Sequence, residues 1–139
     1  MTQCLLASIF ALGFLHMLMV LALCATRLPA MARERMSPKA STRPGALDTL
    51  PAWARNAANN YNNLSEAPTV FYAVVLAIAV LGRADGAYAI LAWAYVALRY
   101  VHSALQATIN PVIWRFAVFS LSWLVLGILV IRALLGCLG

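Results

Sequence analysis

Two arginines, a glutamate, a histidine and a row of asparagines stand in or beside strongly apolar sequence, and these are side chains suited to gripping an anion. Arg55, Asn59, Asn63 and Glu66 are separated by four, four and three residues, Arg99 and His102 by three, and Arg115 opens a long apolar run. On an α-helix this spacing lines up Arg55, Asn59, Asn63 and Glu66 on one side. Tyr88, Ala92, Tyr95, Arg99, His102 and Gln106 make a second row, and Arg115, Phe119 and Ser122 a third. Guanidinium groups hold carboxylates, amides bond peptide groups, and a carboxylate such as that of Glu66 holds an ammonium. A polar, anionic ligand fits such a set. The same rows can also join helices with no ligand at all, with Glu66 neutralising Arg99 or Arg115, and spacing alone leaves both readings open. No Gly-rich phosphate loop and no nucleophile elbow is present.

The elements that carry these residues belong in lipid. Apolar residues make up 64% of the 139 and charged residues 10%, against roughly 25% charged in a soluble domain. A charge at mid-membrane costs about 2.5–3.5 kcal/mol on insertion scales, so each polar residue needs a partner or a wet cavity. The sequence predicts an all-α, integral membrane four-helix bundle, a single domain over residues 1–139. Its helices are expected at about 4–26, 52–82, 87–107 and 111–135, with a loop at 27–51. The run from Cys4 to Thr26 is longer than the ~7–15 apolar residues of a signal peptide and reads as a retained first span. Arg27-Leu28-Pro29 is expected to stop that helix, and Pro68 to kink or break the second.

Charge placement sets the orientation. Arg27, Arg33, Arg35, Lys39, Arg43 and Arg55 face only Glu34 and Asp48 in the first loop region, whereas Arg83-Ala84-Asp85-Gly86 is balanced. The first and third loops are therefore expected in the cytoplasm and the N-terminus outside. A basic loop between apolar spans faces anionic headgroups, and no nucleic-acid partner is expected. Arg132, near the outer end, is expected to snorkel to the headgroups. The loop pattern fits a bacterial inner membrane better than an endoplasmic reticulum. Cys4, Cys24 and Cys137 have no metal spacing and read as small hydrophobes; no metal site is expected. His16, midway along the first span, is expected to make an interhelical hydrogen bond.

With these residues in place the chain resembles the MAPEG proteins, the membrane-associated proteins in eicosanoid and glutathione metabolism. The resemblance covers most of the chain: four spans, a basic first loop, Asn63-x-x-Glu66 with Pro68 nearby, Arg99-x-x-His102-Ser103 closing the third helix and Arg115 opening the fourth. It implies a homotrimer with a glutathione site between neighbouring subunits. It also implies that Arg115 is the catalytic residue, stabilising the glutathione thiolate. Asn63, Glu66 and Arg99 match positions that bind glutathione or shape its site, and Arg27 matches a first-helix arginine that reaches the ligand. With Asn59 and His102 these make the expected binding set; Gln106 stands where the family has a tyrosine.

The implied activity is a glutathione-dependent transferase or peroxidase acting on a lipophilic electrophile that arrives through the bilayer. The alternative is a non-catalytic lipid-binding or scaffold protein of the same fold, so enzyme activity stays open. A small four-helix transporter ranks last of the three readings, because the first helix carries no carboxylate.

Overall fold

Within the hydrocarbon core a backbone must satisfy its own hydrogen bonds, and a chain rich in alanine and leucine does so as α-helix. The computed structural model describes residues 1–66 and 68–138 and contains α1 (Thr2–Arg33), α2 (Pro38–Ser41), a short 3-10 turn (Ala46–Thr49), α3 (Ala52–Glu66), α4 (Thr69–Val80), α5 (Gly86–Ala107) and α6 (Val112–Leu138). Among the described residues there is no strand. Three stretches are long and apolar enough to cross a membrane: α1, the α3–α4 pair and α6. The fourth expected span, α5, falls outside that set because its inward face is polar. Tyr88, Tyr95, Arg99, His102, Ser103 and Gln106 are all buried on it. Its 22 residues still reach about 33 Å at ~1.5 Å per residue. It packs against α1, α3 and α6, so the bundle itself shields the polar row from lipid.

The core joins all four long segments through Leu5, Leu12, Leu64, Phe71, Val75, Tyr95, Val96, Leu126 and Leu129. The Phe71 and Tyr95 rings stack at 4.6 Å, tying α4 to α5. Two aromatic donors set α5 on α1: Trp93 Nε1 donates to the Cys4 carbonyl at 3.1 Å, and the Tyr100 hydroxyl to the Ala11 carbonyl at 2.8 Å. Each ring satisfies its one polar atom in this way, Tyr100 partly buried and Trp93 on the outer surface.

The structure moves several expected boundaries. α1 does not stop at Thr26 but runs through Pro29 to Arg33. Pro29 removes one backbone donor, yet Ala30 beyond it is completely buried against Leu50 and Ala54, and this packing carries the helix onward. The connection to α3 is accordingly shorter than 27–51 and contains α2, capped by the Ser37 hydroxyl, which accepts from the Ala40 N–H at 3.1 Å. In the second span α3 ends at Glu66 and α4 starts at Thr69; Ala67, next to the Pro68 expected to kink or break it, lies outside the described residues. α4 ends two residues earlier than expected. Gly82, at φ 67°, lets the Arg83 N–H turn back to the Ile78 carbonyl at 3.0 Å. α6 starts one residue later and runs three residues further, to Leu138.

At this end Arg132 does not reach away to headgroups. It donates two hydrogen bonds to Asp85, at 2.9 and 2.6 Å, and its guanidinium lies 3.9 Å from the centre of the Tyr88 ring. Asp85 also caps α5 by accepting from the Tyr88 N–H at 2.9 Å. Arg132 first, and the Tyr88 N–H second, hold the Asp85 carboxyl well below its ordinary value, at about 2.

Candidate functional site

The polar residues gather toward the opposite end, beside the 108–111 turn. α3 contributes Asn56 and Asn63, α5 contributes Arg99, His102 and Gln106, and α6 contributes Arg115 and Phe119. A cleft of about 270 Å³ is lined by Asn63, His102, Gln106, Val112, Arg115, Phe116 and Phe119. A second cleft, also about 270 Å³, is lined by Asn63, Glu66, Thr69, Val70, Phe119 and Trp123. Asn63 and Phe119 belong to both. The Phe119 ring lies 5.7 Å from His102 and 6.2 Å from Trp123, so an aromatic wall separates a cationic chamber from one that mixes Glu66 with apolar side chains.

Arg99 forms the floor behind this wall. It is 0% exposed. Its Nη2 donates to Asn63 Oδ1 at 2.7 Å and approaches the Asn63 carbonyl at 3.4 Å, while its Cζ lies 5.9 Å from the Phe119 ring centre. Among the described residues, no partner is found for the buried Arg99 Nε and Nη1, His102 Nδ1, Ser103 Oγ and Gln106 Oε1. Buried polar groups are normally hydrogen-bonded, so such a concentration marks a place where something other than this chain supplies partners. Arg115 is held differently: its Nη1 donates to Asn110 Oδ1 at 2.6 Å, and Asn110 Nδ2 donates to Asn56 Oδ1 at 3.0 Å.

Among the described residues the one ion pair is Asp85–Arg132, at the far end of the molecule. Glu66 therefore does not neutralise Arg99 or Arg115, as helix-joining pairs would require. Two guanidinium groups without carboxylate partners, next to neutral amides and an imidazole, make a site chemically suited to an anion with peptide-like polar groups.

Of the residues singled out by sequence, Asn63, His102 and Arg115 line the first cleft, Glu66 lines the second with Asn63, and Arg99 backs both through Asn63. Asn59 is exposed on α3 and lines neither cleft; it is Asn60, one residue on, that is buried and donates to Met19 on α1. Arg27 is half-buried on α1 and also lines neither cleft. His16 meets Tyr61 edge-on at 6.5 Å, an aromatic contact where a hydrogen bond was expected. Gln106 was legible as part of the α5 row, but Asn56 and Asn110 were not recognised. The signal for Asn110 is the pair Asn110-Pro111, which by itself reads as no more than a turn.

Helices long and apolar enough to cross a membrane, packed around a cleft that Arg115 lines, define an all-helical membrane protein. Within that class the chain belongs to the MAPEG family, whose family model matches residues 5–135. No curated protein and no solved structure gives a significant match.

Proposed function

We propose that the protein is a glutathione-dependent transferase or peroxidase acting on lipophilic electrophiles, working as a homotrimer. The observation that carries this reading is Arg115 in the first cleft, a cation without a carboxylate partner beside Asn63, His102 and Gln106. Glutathione is the co-substrate. Its carboxylates suit Arg99 and Arg115, its peptide groups suit Asn63 and Gln106, and its ammonium suits Glu66. A free thiol has a pKa near ~8.5, and a fixed cation in a poorly hydrated site lowers it and populates the thiolate. The thiolate attacks an electrophilic carbon: a sulfur–carbon bond forms, the leaving group departs with its bonding electrons, and the thiol proton has passed to water. A lipophilic partner enters from lipid past Trp123 and Val70. Asn59 and Arg27 remain in the proposed binding set as residues supplied to the site of a neighbouring subunit.

The basic loop at 34–51 faces the cytoplasm in this reading, with the N-terminus outside and a bacterial inner membrane as the host. The test is calorimetry with glutathione, followed by turnover of a chlorinated nitroaromatic electrophile. Binding is expected, with turnover abolished in Arg115→Ala; absence of binding rejects the reading.

A second reading, a non-catalytic lipid-binding protein, draws on a third cleft of about 220 Å³ at the other end, lined by apolar side chains such as Val74, Ile78, Leu81, Val130 and Leu134. It predicts co-purifying lipid and no thiolate absorbance with glutathione.

A further inference from the structure

We infer that Asn110 is the positioning residue that aims Arg115 into the cleft while leaving its charge whole. The inference rests on the proposed glutathione reading of that cleft. Three features fix where the Asn110 side chain starts. Its backbone is left-handed, at φ 47°, a conformation that asparagine adopts more readily than residues other than glycine. Its N–H closes the end of α5 on the Leu105 carbonyl at 2.8 Å. Pro111 follows, with its own φ locked by the ring, and the Pro111 carbonyl accepts from the Arg115 N–H at 2.9 Å in the first turn leading into α6. The side chain and the arginine it serves are thus parts of one rigid corner.

The amide then works in two directions. Its oxygen accepts from Arg115 Nη1 at 2.6 Å, and its nitrogen donates to Asn56 Oδ1 at 3.0 Å on α3, across the corner. Of the side chains that fit this backbone, only asparagine offers both. Aspartate accepts from Arg115 but cannot, as a carboxylate, donate to Asn56. It also brings a full negative charge against the guanidinium and competes with any anion in the cleft. Glycine keeps the left-handed backbone and loses the tether. One of the five N–H donors of Arg115 is spent on a neutral group, and the others remain for a ligand. The turn between α5 and α6, rather than the cleft wall, therefore sets how strongly the cleft attracts a thiolate.

The test uses the full chain in lipid nanodiscs, with the ultraviolet absorbance of the glutathione thiolate followed against pH and glutathione affinity read by calorimetry. Wild type should show a thiolate midpoint below that of free glutathione. Asn110→Asp should move the midpoint up by about one pH unit, the effect of a like charge set near the thiolate. Asn110→Gly, which releases Arg115, should weaken binding several-fold and let the midpoint rise toward that of free glutathione. A purely structural role would lower affinity or folding yield without moving the midpoint. Absence of a thiolate in wild type rejects the glutathione reading itself. A wild-type thiolate with a midpoint unmoved in Asn110→Asp or in Asn110→Gly overturns the inference. If Asn110→Asp does not fold, Asn56→Leu removes the anchor of Asn110 from α3, and glutathione affinity equal to wild type in that variant overturns the inference instead.

Discussion

The bond between Arg99 and Asn63 shows what a buried cation demands of its neighbours. Arg99 is shut away from water and lipid, and its side-chain acceptor is Asn63 Oδ1 at 2.7 Å. Asn63→Ala leaves the guanidinium with the more distant Asn63 carbonyl, so a stability loss of about 1–3 kcal/mol is expected, the cost of an unsatisfied buried group. Thermal unfolding in detergent measures it, and glutathione should also bind more weakly because Asn63 lines both clefts. Asn63 and Arg99 were legible in the sequence because polar side chains are costly in apolar surroundings. The choice between Asn59 and Asn60 was not. Steps of four residues advance about 40° beyond a full turn, so the row Arg55, Asn59, Asn63 winds around α3. Asn56, Asn60 and Asn63, spaced four and three, stay closer to one side, and that side is the one turned inward. Asn110 escaped for another reason: its type and its proline neighbour are fully explained by a turn, and nothing in the sequence reports that its side chain also reaches Arg115.

At the scale of the elements, tertiary packing overrode two local signals. Pro29 reads as a stop, yet α1 continues because Ala30 fills a small site under Leu50 and Ala54. Ala30→Leu should overpack that site and cost about 1–3 kcal/mol, with faster proteolysis of the 34–51 segment as the measurement; unchanged proteolysis would show that the loop is not held there. Arg132 reads as a headgroup-seeking cation, but it finds Asp85 one element away. Because Asp85 is acidified in the folded protein, to about 2, its pairing stabilises the fold above the ordinary carboxylate range and is lost as pH falls through that value. The unfolding temperature of Asp85→Asn should therefore lie below that of wild type at neutral pH, and the gap should close as pH drops from about 4 toward 2. A constant gap would mean that Asp85 serves α5 only as a cap. The four apolar segments themselves were legible because lipid leaves a spanning backbone few alternatives. Their ends were not, since single packing contacts such as that of Ala30 decide them.

At the scale of the whole molecule, α3 turns a polar outer side away from the bundle. Asn59, Asn62, Ser65 and Glu66 are exposed there, with α4 continuing the same span as apolar sequence. Polar groups at that depth are costly against hydrocarbon and are stable against water or another polar surface. A second copy of the chain provides such a surface, since interhelical amide bonds hold membrane helices together. In a rotationally symmetric assembly, α3 of each chain can then meet a neighbour, completing the second cleft around Glu66 and bringing Asn59 toward a ligand. The expectation is concrete. In a background where Cys4, Cys24 and Cys137 are replaced by serine, Asn59→Cys should form a disulfide between copies in the membrane, while a cysteine at Phe10, exposed among apolar neighbours on α1, should not. Native mass spectrometry from the same membranes should give three chains. If Asn59→Cys stays monomeric and the mass is that of one chain, α3 faces water alone, and the clefts at Asn63 must bind whatever they bind without a neighbour.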